Sequence, residues 1–315
     1  GISQADWNDL LNNEYKPLIN KSVSALYPPG STIKPIVALS ALENDVISPK
    51  LIVQCKGNIE LYGQKYHCWK EKGHGFMNLR SGIKQSCDIY FYEIARRLGI
   101  DRLSITSKKF GLGSVVFENF GEEKKGVVPN TKWKFKTLGK GWVLGETLIS
   151  GIGQGYFQVT PIQLCLMSAQ LANGGYKIYP RITKNNNLES AEQIKSKMLK
   201  AGEELKQKEE SLLKVTGDFL RRKTNIYKPL YKNPENVKFV LDAMFRSTNE
   251  LYGTSFSSRI EDPKYQFAGK TGTAQVKKIT ARHRELELKA KDVVQSAMYR
   301  TLNACAIPLV FLTTL

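Results

Sequence analysis

Acidic residues are scarce in this chain: 29 Asp and Glu stand against 47 Lys and Arg in 315 residues, for a formal net charge of +18. That balance favours anionic partners, nucleic acid first among them. The lysines are scattered, however, and no helix-turn-helix, zinc-knuckle or ribonucleoprotein-type aromatic motif accompanies them. The reading is a solvated Lys-rich surface compatible with anionic lipid or polymer, and no nucleic-acid partner is expected.

Long apolar runs are also missing. No stretch approaches the roughly 20 residues a helix needs to cross a bilayer. Gly1-Ile2-Ser3-Gln4 has neither the basic start nor the apolar core of a secretion signal. Any membrane anchor of the natural protein is expected outside this chain. Cysteine is limited to five residues, an odd number that argues against a plain disulfide framework. The cluster Gly151-Ile152-Gly153-Gln154-Gly155 has the wrong spacing for a nucleotide fingerprint, and the lysine–Ser/Thr pair of a phosphate loop is absent.

What is there is an ordinary globular composition, 41% hydrophobic, long enough for one large domain or two smaller ones. Helices are expected over 3–11, from 36 onward, over 79–98, from Pro161 to the Gly174-Gly175 stop, and over 234–248. Residues 51–78 read as hairpin or loop, 110–129 as turns, 265–276 as a strand, and 190–222 as a charged helical insertion.

The stretch Tyr27-Pro28-Pro29-Gly30-Ser31-Thr32-Ile33-Lys34-Pro35 organises the rest. Pro28, Pro29 and Gly30 make a rigid turn that a helix cannot cross. Ile36, Val37, Ala38, Leu39, Ala41 and Leu42 then predict a helix apolar on most faces, hence buried. Ser31 falls at its start and Lys34 one turn on, so amine and hydroxyl share a face. A serine hydroxyl is a poor nucleophile until a base takes its proton. A lysine buried beside it loses basicity through desolvation and can be that base, uncharged. Free N–H groups at the helix start can hold an oxyanion. The plain alternative is a capping serine followed by a surface lysine. Two further motifs weigh against it. Ser86-Cys87-Asp88 falls within the helix predicted over 79–98. Lys270-Thr271-Gly272-Thr273 falls on a strand, where the glycine admits a ligand to the backbone and the lysine and hydroxyls suit a carboxylate.

Ser-x-x-Lys, Ser-x-Asp and Lys-Thr-Gly, in that order, mark penicillin-binding proteins, with Asp standing for Asn in the second. Gly73-His74-Gly75, the 151–155 cluster, Thr160-Pro161-Ile162-Gln163 and residues 269–275 extend the pattern. With them, residues 1–276 resemble the transpeptidase domain of class B penicillin-binding proteins, in particular the branch found in rod-shaped Gram-negative bacteria. The resemblance implies an α/β serine transpeptidase/β-lactamase-like fold: an antiparallel sheet sandwiched between helices, with an all-helical subdomain. It implies a D,D-transpeptidase that cross-links peptidoglycan stem peptides in cell-wall elongation and is acylated by β-lactams. Ser31 would attack the D-Ala-D-Ala carbonyl, with Lys34 as base. Ser86, helped by Lys270, would relay a proton to the leaving amine, and Asp88 would hold the substrate backbone or Lys34. Thr271 and Thr273, flanking Gly272, would bind the terminal carboxylate, and the N–H groups of Ser31 and Thr273 would form the oxyanion hole. Implied partners are a polytopic glycosyltransferase and the rod-shape assembly. The implied location is the inner membrane, facing the periplasm, through an anchor and pedestal outside this chain.

Cys55, Cys68, His74 and Cys87 are separated by twelve, five and twelve residues. Three cysteines and a histidine are an ordinary tetrahedral zinc set, here at wider spacing than in a zinc finger. Buried thiols beside a hydrogen-bonded histidine would give the same pattern, and His67 competes with His74 as ligand. The resemblance adds that members of that branch carry four zinc ligands at corresponding places. One structural zinc is therefore expected, pinning Cys87, and with it Ser86 and Asp88, to the 55–74 loop.

The transpeptidase domain is expected to occupy 1–292. Residues 293–315 match no segment, as though the chain were truncated or read out of frame there, and a sheet short of its last strands would expose the edge of the Lys270 strand. Two readings stand beside the transpeptidase. A D,D-carboxypeptidase or serine β-lactamase needs a deacylation base, and no Glu-x-x-Leu-Asn element lies between Ser86 and Lys270. The other is a catalytically inactive fragment that only binds wall peptides.

Overall fold

Ser3 accepts a hydrogen bond from the Asp6 N–H and so starts helix α1, Gln4–Asn12, none of whose residues is buried. The connector behind it contains one short helix, α2, Lys21–Ser24. This computed structural model describes residues 1–61, 63–117, 121–180 and 228–273, together with the backbone of 309–311. The 190–222 insertion and the charged run over 277–291 lie outside them.

Behind the Pro28-Pro29 turn, a single 3₁₀ turn, Gly30–Ile33, runs straight into α3, Lys34–Glu43. Pro35 sits in its first turn, where an amide has no intrahelical partner to lose. All ten residues of α3 are buried, as its apolar faces require. Its far end is fixed through Glu43, whose carboxylate accepts the Lys232 and Asn233 backbone N–H groups and the Asn236 amide.

The helix predicted over 79–98 is two helices. An Asn78–Ser81 capping box starts α4, Leu79–Lys84, and Asp88 opens α5, Asp88–Leu98, with its acid at the positive end of the helix dipole. Between them Ser86 adopts a left-handed conformation, φ 53°. It does the work a glycine usually does at a helix end, at a cost of about 1–2 kcal/mol for a residue with a Cβ. Ile83, Ile89, Ile94 and Leu98 all face the core as expected.

Helix α6, Ile100–Lys109, leaves Gly99, and α7, Thr131–Leu138, and α8, Leu144–Gly151, lead to the 151–155 glycines. Thr160 caps α9, Pro161–Ala172, from the predicted position. Helix α10, Pro234–Asn249, buries Val237, Val240, Ala243 and Met244. Arg80 and Lys84 of α4 pair with Asp242 and Glu250, at 2.9 and 2.7 Å, and so hold the start of the Ser86 turn against α10.

Residues 51–78 form two antiparallel pairs. Strand β1, Val53–Cys55, pairs with β4, Gly75–Met77, placing Cys55 opposite Gly75, while β2, Asn58–Leu61, pairs with β3, Gln64–His67. The strand predicted over 265–276 is shorter: Pro263–Tyr265 is a 3₁₀ turn, β5 is Ala268–Lys270, and 271–273 continue without strand pairing. Its edge is not bare. Strand β6, Leu309–Phe311, pairs with it antiparallel, Lys270 opposite Leu309, out of the tail for which the sequence offered no match.

Candidate active site

Two elements, α3 and β5, converge on the hydroxyl of Ser86. Lys34, at the start of α3, donates to Ser86 O at 2.9 Å, Ser86 Oγ at 3.1 Å and Asp88 Oδ1 at 2.7 Å. Lys270, at the end of β5, donates to Ser86 Oγ at 2.8 Å and to the Thr271 carbonyl at 2.8 Å. Lys34 is 0% exposed and Lys270 2%. Asp88 is the acid balancing the pair; its second oxygen accepts the Trp69 N–H at 2.9 Å.

An ammonium has three N–H groups, and Lys34 spends them on these three acceptors, none of which is Ser31. The sequence pointed to an uncharged Lys34 bonded to Ser31. The structure instead turns Lys34 towards Ser86 and the Asp88 carboxylate across the α4–α5 break. The amine driven towards neutrality is Lys270. Its pKa lies well below the ordinary lysine range, first through desolvation and then through the charge of Lys34, with Asp88 pulling the other way.

Ser31 joins this centre through its neighbours. Gly30 (φ 56°) has no room for a side chain: a Cβ there would meet the Thr273 carbonyl group, 3.0 Å from its carbon. One at Gly272 would meet the Thr32 side chain and lie 3.2 Å from the Thr32 nitrogen. The backbone at 272–273 therefore runs directly beside 30–32, and Ser31 is half-buried between the two contacts. Gly153 closes the opposite side, its N–H-bonded neighbour being Gly30, whose N–H donates to Gly153 O at 2.9 Å. Gln154 Nε2 reaches Thr273 O at 3.3 Å, and Thr271 Oγ1 is fixed by Thr254 at 2.9 Å. All eight residues expected here, Ser31, Lys34, Ser86, Asp88, Lys270, Thr271, Gly272 and Thr273, thus occupy one region. Gln154, Thr254 and Trp69 belong with them and were not foreseen. Within the 151–155 cluster, Gly153 serves the close approach of one backbone to another.

The donor atoms of Cys55, Cys68, His74 and Cys87 lie within 4.8 Å of one another, the three cysteines buried and unbridged. His74 Nδ1 is 3.6 Å from Cys55 Sγ and 3.5 Å from Cys68 Sγ. Tetrahedral coordination at ordinary zinc bond lengths puts nitrogen and sulfur about 3.6 Å apart, so the set fits such an ion. The Cys68 thiol is lowered to about 3, first by its hydrogen bond with Cys87, while that bond and burial push Cys87 up. The shift on Cys68 favours the thiolate, the form a metal binds. His67 is not part of the cluster.

Comparison with known proteins follows the same line. Residues 4–289 match the family described as Penicillin binding protein transpeptidase domain. Peptidoglycan D,D-transpeptidase MrdA of Acinetobacter baumannii is 31% identical over 305 residues, covering 93% of this chain and 40% of that protein. Pseudomonas aeruginosa PBP2, solved in complex with WCK 5153, is 35% identical with a TM-score of 0.70, over 88% of this chain and 54% of that one. Helicobacter pylori PBP2, solved in complex with MreC, is 31% identical with a TM-score of 0.71, over 88% and 45%. The chain therefore spans well under two thirds of the length of each of these relatives.

Proposed function

The chain belongs to the penicillin-binding protein transpeptidase family, and from that premise we propose that it is the catalytic part of a PBP2-like class B peptidoglycan D,D-transpeptidase. The observation that carries the reading is the placement of Ser86 Oγ between two buried lysines, with Ser31 one turn before the first and the Lys-Thr-Gly backbone beside it. The Lys-Thr-Gly backbone beside it offers the hydroxyls of Thr271 and Thr273 to a substrate ending in a carboxylate.

The chemistry follows from the two lysines that flank Ser86 Oγ. Lys34 passes a proton through Ser86 Oγ to the neutral Lys270 and becomes the free amine that takes the Ser31 proton. The Ser31 oxygen then bonds to the D-Ala-D-Ala carbonyl carbon. Backbone N–H groups at Ser31 and Thr273 receive the oxyanion, and Thr271 and Thr273 hold the terminal carboxylate. The proton on Lys270 returns through Ser86 to the leaving amine, D-alanine departs, and a neighbouring stem-peptide amine resolves the ester. A β-lactam enters the same sequence and stops at the acyl-enzyme.

Zinc in the Cys55, Cys68, His74 and Cys87 set is part of this proposal; its chemistry would be structural, with all four positions filled by protein. So are a rod-shape partner, by analogy with the MreC complex of the H. pylori relative, a polytopic glycosyltransferase, and a periplasmic location reached by an inner-membrane anchor outside the chain. No described helix is long and apolar enough to cross a membrane.

Intact mass after incubation with penicillin tests the reading. One adduct on the chain and none on Ser31→Ala is the expected result. No adduct on the unsubstituted chain, or an undiminished one on the variant, overturns it.

A further inference from the structure

The left-handed turn at Ser86 is held from outside by one residue that the chemistry does not use. Trp69 follows Cys68 in the loop of the cysteine cluster, and its ring stands edge-on to His74, centroids 5.2 Å apart. Its indole Nε1–H donates to Ser86 O at 3.0 Å and to Gln85 O at 3.2 Å, and its backbone N–H donates to Asp88 Oδ2 at 2.9 Å. One side chain and its own amide thus grip both ends of the Gln85–Asp88 turn.

The geometry points to Trp69 as a positioning residue for Ser86 and Asp88. Ser86 O has two lone pairs; Lys34 Nζ takes one at 2.9 Å and Trp69 the other. Those two bonds orient the carbonyl of a residue whose φ of 53° a side chain rarely adopts. The same orientation aims Ser86 Oγ between Lys34 and Lys270. The amide bond to Asp88 Oδ2 turns the other carboxylate oxygen onto Lys34. The indole is 58% exposed, so burial of the ring does not account for its placement; its N–H does.

This inference rests on the transpeptidase reading for its kinetic arm and stands apart from it for its spectroscopic one. Trp69→Phe keeps an aromatic ring, though a smaller one, and the amide while removing the indole donor; a benzothienylalanine placed at 69 removes the donor too, its sulfur replacing the N–H at almost constant shape. Both should slow penicillin acylation about tenfold, the worth of one hydrogen bond, with the affinity of the preceding non-covalent complex and the melting temperature unchanged. A ring that serves only as packing would be indifferent to the sulfur analogue. An unchanged acylation rate for the analogue, or a loss that tracks a fall in melting temperature, overturns the inference. The second arm is the Trp69 indole N–H resonance, assigned by its absence in Trp69→Phe. Slow exchange with solvent, despite the exposed ring, is expected; exchange at the rate of a free indole overturns the inference whatever penicillin does. A chain with a protected indole and no adduct at all fails the transpeptidase reading and leaves the positioning contact standing.

Discussion

Asp88→Ala probes the polar centre through its charge balance. The carboxylate accepts Lys34 Nζ at 2.7 Å and the Trp69 N–H at 2.9 Å. Without it Lys34 keeps only the two oxygens of Ser86, 0% exposed and facing a second lysine. Breaking a buried pair from one side costs about 3–5 kcal/mol. The Asp88 side chain is 11% exposed, so some water reaches the gap and the lower end, about 3 kcal/mol, applies. Removing both charges should recover most of that loss, because Lys34→Met fills the same volume without needing a counter-ion. Asp88→Asn should fall between: an amide has one oxygen for two donors, a deficit of about 1–3 kcal/mol. Urea denaturation at neutral pH, at constant slope, measures all four chains. The reasoning is refuted if Asp88→Ala costs under about 1 kcal/mol, or if Lys34→Met/Asp88→Ala is no more stable than Asp88→Ala, a result the buried-pair argument forbids.

Three further outcomes follow. Gly30→Ala puts a methyl group against the Thr273 carbonyl at φ 56°, and penicillin acylation should fall about 100-fold, as for a displaced oxyanion donor; acylation at the unsubstituted rate would remove Thr273 from the chemistry. Because the Lys270 pKa is lowered on folding, the unfolded chain binds more protons between the two values, so this group makes stability rise with pH up to the unfolded lysine value of about 10.4. Lys270→Met should abolish that rise, hold or raise the melting temperature at neutral pH, and cut acylation by about 100-fold or more; a lowered melting temperature at neutral pH contradicts it. Elemental analysis should return one zinc per chain, and chelation should lower the melting temperature by several degrees, whereas a metal-free chain melting unchanged ends the zinc proposal.

What the sequence disclosed depended on how local each cause is. Helix α3 was legible because Ile36 to Leu42, apart from Ser40, are apolar on most faces, and burial suits such a helix. The cysteine–histidine set was legible because those residues are rare. The break at Ser86 was not: Gln85-Ser86-Cys87 contains no glycine or proline, and the turn is imposed by donors on Lys34 and Trp69 from elsewhere in the chain. Spacing assigned Lys34 to Ser31, its neighbour along the helix; its bond to Asp88 came only from the family resemblance, because tertiary packing makes it. Gly153 stood only as part of a cluster without nucleotide-binding spacing, and the fold alone shows that its missing side chain makes room for Gly30.

The two residues that bracket Ser86 lie far apart along the polypeptide: Lys34 is 52 residues before it and Lys270 is 184 after it. Contacts of such separation form late, after local helices have settled. On the ribosome, the turns carrying Ser31 and Ser86 emerge long before the second lysine is synthesised. The centre is thus armed at the end of assembly, and every nascent intermediate carries the hydroxyl of Ser31 without the second lysine that completes its surroundings.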